Sequence, residues 1–347
     1  ITIGRNGSNI NGAAADLTVS NENSAITLVY VDGTQGWKAT DTSSLTDIEL
    51  QPSYITATGG TPTTCGDYKI HTFTGPGTFT VSTIGNPIGG PSNVDYLVVA
   101  GGGGGGNGQY AGGGGGAGGY RESSGVASGS YTASPLGACV SALPVSVQGY
   151  TITVGGGAPT ITAPTRPGGD GSNSTFSTII STGGGGGGGG ANAPGVGAAG
   201  GSGGGSATYG CTAGGAGNTP PVSPPQGNAG GNVGDFAGTA TKGGGGGGAT
   251  SAGTGSTTPP TSAAGPGGNG ATSSITASPV TRAGGGGGST DLGGPQGTGG
   301  PGGGGNGDNG SSATAGTVNT GSGGGGGKGN GGGGGSGIVI IRYKFQN

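Results

Sequence analysis

His71 is the only histidine in the 347 residues, so any imidazole acid–base chemistry would have to run through it. It sits in the alternating segment Tyr68-Lys69-Ile70-His71-Thr72-Phe73, which reads as a β-strand. No serine stands at a nucleophile elbow with the partners of a Ser/His/Asp relay. The thirteen acidic residues are scattered, and no pair stands out as a glycosidase dyad. G-x-G-x-x-G occurs repeatedly but carries no information in a chain with 103 glycines, because a dinucleotide site also needs a βαβ unit. A P-loop at Lys328 fails, since Ser322 and Gly329 stand where glycine and Ser/Thr are required. The stretch 168–176 approaches the calcium-binding nonapeptide of β-rolls with Asn173 in place of Asp. That site needs tandem copies, and a tight turn into a strand is the better reading. No catalytic residue, metal ligand or cofactor is assigned, and the chain is read as a non-enzyme.

Three cysteines, Cys65, Cys139 and Cys211, are odd in number and far apart, and suggest no disulfide framework. Formal net charge is -3 with 7% charged residues, too few basic groups for nucleic acid. No apolar run is long enough to cross a membrane. The sequence begins at Ile1 without Met and reads as a fragment or a processed piece.

What remains is glycine. A collagen needs glycine at every third position, whereas here glycine comes in runs such as Gly183 to Gly190. Ordering a backbone residue costs roughly 1–2 kcal/mol, and glycine loses the most freedom. A net hydrogen bond returns only about 0.5–1.5 kcal/mol. The two come near balance only if almost every peptide in a run is paired. A polyproline-II-like helix has three residues per turn and no internal hydrogen bonds. Its peptide groups point outward and can bond sideways to neighbours once side chains are absent. The expected fold class is therefore all-β plus a polyglycine II helix bundle, with essentially no α-helix.

The apolar strands must supply the core that glycine lacks. Residues 1–50 form a small β module of short strands and Asn-Gly turns, too small to be stable alone, so oligomerisation is expected. Trp37 is assigned to packing of that module, at a subunit interface. Residues 51–64 read as a linker and 65–347 as the glycine-rich domain, with strands near 67–100, 150–154, 176–182 and 338–343. Tyr68–Phe73 and Thr78–Val81 flank Gly75-Pro76-Gly77 and read as a hairpin. Val94–Ala100 runs into Gly101–Gly106, and similar strand-to-glycine junctions precede Gly183, Gly243 and Gly284. Gly331 to Gly335 lead the other way, into the closing strand, which is expected beside 94–100. Gly101, Gly183, Gly243, Gly284 and Gly331 are thus the structural starts of runs. Pro167–Phe176 parallels Pro266–Ile275 as an internal echo. The Pro/Ser-rich stretches 191–241 and 249–282 are expected to be loops, and Asn107 and Ala117 to face outward. Tyr110, Tyr120, Tyr131, Tyr209 and Phe236 lie beside or between the runs, as recognition anchors or as cover for the bundle.

Ile1-Thr2-Ile3-Gly4-Arg5-Asn6-Gly7, followed by Leu28-Val29-Tyr30-Val31-Asp32 and Gly36-Trp37, resembles a module of phage tail fibre and neck fibre proteins. Tyr68 to Gly106, with Tyr96-Leu97-Val98-Val99-Ala100-Gly101, and the closing Gly337-Ile338-Val339-Ile340-Ile341-Arg342-Tyr343 look like the glycine-rich domain of many phage tail proteins. The runs are similar to the polyglycine II sandwich of T-even-type tail-tip adhesins. The resemblance implies a homotrimeric fibre or fibre tip on an extracellular virion. It also implies other fibre and tail proteins as partners, and loops that bind a bacterial surface receptor, an outer-membrane protein or polysaccharide. A purely architectural fibre part and a free polyglycine II protein of the antifreeze kind are the alternatives.

Overall fold

A computed structural model describes residues 1–19, 25–41, 48–50, 52–129, 131–162, 166–190, 195–207, 213–233, 242–256, 263–291, 294–310 and 312–347. Its regular structure is mostly β, with no α-helix among the described residues.

The N-terminal module contains β1 (Thr2–Ile3), β2 (Leu17–Val19), β3 (Thr27–Asp32), β4 (Gly36–Asp41) and β5 (Ile48–Leu50). β1, β2 and β5 form one small antiparallel sheet, and β3 and β4 form a separate hairpin. Ile10 and Leu17 are its buried centre.

The remaining strands are β6 (Thr56–Thr58), β7 (Thr61–Cys65), β8 (Tyr68–Phe73), β9 (Gly77–Thr83), β10 (Asn93–Val99), β11 (Tyr120–Glu122), β12 (Leu143–Pro144), β13 (Gly149–Thr153), β14 (Ser174–Phe176), β15 (Ile179–Ser181), β16 (Ala271–Ser273), β17 (Val280–Arg282) and β18 (Ile338–Lys344). Two sheets result. One runs β11-β10-β18-β8-β7, with β12 beside β10, and the other runs β15-β14-β13-β9-β6. Val339, Ile341 and Tyr343 meet Phe79, Tyr150, Ile152 and Phe176 between them in a dry core. The other face of the first sheet offers Ile70, Leu97, Val99, Ile338 and Ile340, which pack against Ala117, Tyr120, Ala249, Ala271, Ile275 and Ala283. β10 and β18 are therefore buried on both faces, and both are mostly apolar for that reason, interrupted in their interiors by the buried Asp95 and Arg342.

β18 pairs antiparallel with β10, Leu97 opposite Ile340, where the closing strand was expected. The expected hairpin is not formed. β8 pairs with β7 and β18, whereas β9 pairs with β6 and β13 in the opposite sheet. The turn at Gly75–Gly77 is a corner between layers, and it lets Phe73 and Phe79 enter one core from both sides. The 51–64 stretch is likewise not a linker over its second half, because β6 and β7 are edge strands of the two sheets. Pro62 stands in β7 opposite His71, an edge position where a missing N–H is tolerated.

His71 is buried in this core. Its Nδ1 lies 2.7 Å from the Gly59 carbonyl oxygen and its Nε2 3.0 Å from the Tyr343 hydroxyl. Burial pushes its pKa below the ordinary value, so the ring is neutral, with Nδ1–H donating to Gly59 and Nε2 accepting from Tyr343.

Candidate functional site

The glycine runs have a repeat of three in their hydrogen bonds. Gly101, Gly104 and Asn107 donate to the carbonyls of Ser172, Gly169 and Arg166. Gly102 and Gly105 donate to Gly335 and Gly332, and Gly103 and Gly106 donate to Gly116 and Gly113. The same run accepts from Ala158, from Gly184 and Gly187, and from Gly324 and Gly327. Successive peptides thus point in three directions, and the run is held on every side. Run 112–118 is enclosed in the same way by 101–106, 183–189, 202–206, 243–248, 284–289 and 321–327.

Only glycine permits this spacing. A Cβ built at Gly105 would collide with the Gly325 carbonyl, and one at Gly114 with the Gly286 carbonyl. None of the glycines in 101–106, 112–116, 183–190, 243–248, 284–288 or 323–327 has positive φ.

Every run starts or ends at the sheets. Gly119 donates to Thr182, Tyr120 to Gln226, Ala249 to Ala283 and Ala283 to Thr320 at this base. At the far end a second level of contacts ties the turns together. Asn107 bridges Arg166 and Gly327, Ile161 bridges Gly331, and Lys242 bridges Thr290. Thr290 N–H donates to the Asp308 carbonyl, and Asp308 N–H to Gly326.

This far end, the tip, gathers charge that the runs lack. Lys328 Nζ lies 2.5 Å from Asp291 Oδ1. The Asp308 carboxylate accepts from Gly310 N–H at 2.6 Å and from Lys328 N–H at 3.3 Å, fixing the 308–310 turn against the 328–330 turn. Asn107 Nδ2 donates to the Gly329 carbonyl at 2.7 Å. Lys242 Nζ donates to Thr290 Oγ1 at 3.0 Å, and its burial lowers its pKa. Gln109, Tyr110, Lys328, Gly329 and Asn330 are exposed beside these fixed groups. The surface can offer hydrogen bonds and one aromatic ring to a ligand. Among the described residues no group of His, Cys, Asp and Glu could hold a metal ion.

Of the aromatic candidates, Tyr110 stands at the tip, 36% exposed. Tyr120 and Tyr131 do not. Tyr120 is buried at the base, where its hydroxyl donates to Glu122 Oε2 at 3.0 Å. Glu122 also accepts from Ser134 N–H at 2.9 Å and from the Ser273 hydroxyl, and burial raises its pKa. The Tyr131 ring packs against the Arg342 guanidinium, 5.3 Å from its centroid. Both tyrosines follow the return of a run to the sheet, and the apolar base claims them. Tyr209 and Phe236 lie outside the described residues, as does Cys211; Cys65 and Cys139 are free cysteines. Trp37 packs edge-on to Tyr30 at 5.4 Å and remains 40% exposed. Gly101, Gly183, Gly243, Gly284 and Gly331 are buried run starts.

Two further expectations are corrected. Asn107 and Ala117 are buried: Asn107 ties two tip turns together, and the Ala117 methyl fills the seam between runs and sheet. The Pro/Ser-rich stretches are not simply loops. Gly197, Gly215, Gly230, Gly253, Gly265 and Gly268 within them bond sideways like the pure glycine runs. Sequence missed them because only the inward-facing residues of an outer run must be glycine, which breaks up the repeat. The echo at 167 and 266 marks two equivalent units, each a returning run, a short hairpin (β14–β15 or β16–β17) and a departing run.

No curated protein matches the sequence. The family model described as a glycine-rich domain matches residues 74–344, from the corner before β9 to the end of β18. With β9 to β18 and the glycine runs between them inside that span, the chain belongs to the glycine-rich domain family.

Proposed function

We propose that the runs are polyglycine II helices and that they form the rigid tip of a bacteriophage tail fibre, whose far-end turns meet a receptor on the bacterial surface. The three-residue repeat of sideways hydrogen bonds supports the helix assignment, because three residues per turn without internal bonds is the geometry of that helix. The observation that carries the recognition role is the gathering of polar turns at one end of a scaffold pinned by its own backbone. Loops on a rigid platform are where binding residues concentrate. Binding there works by shape and hydrogen bonding, without chemistry.

The test is binding of labelled protein to bacterial cells and to their isolated outer-membrane polysaccharide. Replacing Tyr110 and Lys328 together by Ala is expected to reduce binding at least tenfold with the melting temperature unchanged, since both side chains are exposed. Undiminished binding removes the tip as the recognition surface. It would favour the purely architectural reading, which has its own support: Tyr120 and Tyr131 belong to the base.

The N-terminal module carries the second part of the proposal. Val29, Tyr30, Val31 and Trp37 are exposed on the β3–β4 hairpin, and an isolated two-stranded hairpin is marginal in water. We place the contact between three copies of the chain there. Particle mass in solution decides this: three chains per particle is the expected result, and a monomer rules it out.

A further inference from the structure

The hydrogen-bond map has one open side next to its centre. Run 183–190 donates from Gly184 and Gly187 to Gly101 and Gly104, and from Gly185 and Gly188 to Ser202 and Gly205. Its carbonyls accept from Gly113 and Gly116, from Gly168 and Gly171, and from Ala198 and Gly201. Donating and accepting neighbours alternate around it. The remaining place, between 166–172 and 195–201, should be a donating direction, and no run occupies it among the described residues.

The peptides that face this place are every third one, Gly183 and Gly186. Neither N–H reaches a backbone carbonyl of a described residue. Gly183 donates to Asn173 Oδ1 at 2.9 Å, and Gly186 donates to Asp170 Oδ1 at 2.8 Å. Asp170 and Asn173 are themselves three residues apart on the neighbouring segment, so their side chains meet successive turns of the run. Two outer runs show the same substitution: Gly214 donates to Asn232 Oδ1 and Gly299 to Asn306 Oδ1, both at 2.8 Å.

We infer that Asp170 and Asn173 are lateral caps, standing where the carbonyls of one more run would stand. An unpaired row of amides beside side-chain-free backbone is a template for another chain, as the edge of a β-sheet is. The inference rests on the hydrogen-bond map and is independent of receptor recognition.

Amide hydrogen exchange resolved by residue tests it on the whole chain. In Asp170→Ala, exchange at Gly186 is expected to rise at least tenfold, while Gly184 and Gly187 in the same run stay protected. Asp170→Asn, which keeps an acceptor oxygen in place, is expected to restore protection, and Asn173→Ala is expected to release Gly183 instead. Unchanged exchange at Gly186 in Asp170→Ala overturns the cap. Fast exchange at Gly184 and Gly187 in the unaltered protein would overturn the bundle and the cap with it, whatever the outcome of receptor binding.

Discussion

Gly114→Ala is expected to unfold or grossly destabilise the glycine-rich domain, although alanine is the smallest change available. The added methyl would sit on the Gly286 carbonyl, with the Gly287 carbonyl close behind. The obstacle is backbone, and no rotamer change relieves it. Gly114 N–H also donates to Gly244 at 2.9 Å, and its carbonyl accepts from Gly205 at 2.8 Å, so moving the run aside breaks bonds on other faces. Overpacking a well-filled core costs about 1–3 kcal/mol and sometimes more, and here lost hydrogen bonds add about 1 kcal/mol each. A total on the order of 5 kcal/mol approaches the whole stability of a typical domain. Gly156→Ala is the matched control, since nothing lies within 4 Å of its Cβ, and a change within about 0.5 kcal/mol is expected there. Thermal denaturation of both variants checks the pair. Equal melting temperatures would show that the spacing between runs is set by something other than missing side chains.

The second large effect is expected from Asp95→Ala, in the sheet layer. Asp95 is fully buried. Its Oδ1 accepts from the Ser123 hydroxyl at 2.6 Å and Gly125 N–H at 3.1 Å. Its Oδ2 accepts from Ser128 N–H at 2.7 Å and the Ser128 hydroxyl at 2.6 Å. Ser123 in turn holds Tyr96 N–H at 3.0 Å. A single carboxylate thus anchors the 123–128 loop to β10. Its removal leaves several buried donors unpaired, at about 1–3 kcal/mol each. A loss on the order of 4 kcal/mol is expected, or about 10 °C in melting temperature for a domain of this size. Asp95→Asn, which keeps one acceptor oxygen, should fall between. A shift below about 1 kcal/mol in Asp95→Ala would mean that the loop is held by other contacts.

The strands that could be read from the sequence are those buried on both faces. Val94–Ala100 and Ile338–Tyr343 are apolar but for one charged residue each, Asp95 and Arg342, and long apolar stretches of that kind read as strands. The hairpin at 68–81 misled because alternation specifies a half-buried strand but not its partner. A Gly-Pro-Gly turn serves a corner between layers as well as a two-strand reversal. The run starts at Gly101, Gly183, Gly243, Gly284 and Gly331 were legible from glycine alone. The outer runs were not, because proline, serine and asparagine are tolerated wherever one side of a run meets solvent. The tip was invisible for a different reason. Asn107, Lys242, Asp291, Asp308 and Lys328 are far apart in the chain and meet only through the length shared by the runs. Tyr120 shows the reverse failure, since adjacency to a glycine run does not say which end of it a residue occupies.

The interior of the runs holds peptide groups and Cα methylenes where other domains hold aliphatic side chains. Heat capacity on unfolding rises by about 0.45 cal/K/mol for each Å² of apolar surface exposed and falls by about 0.26 for each Å² of polar surface. A domain whose buried surface is largely backbone therefore has a small heat-capacity increment and a broad, shallow stability curve. Its free energy of folding therefore changes little between cold and warm surroundings.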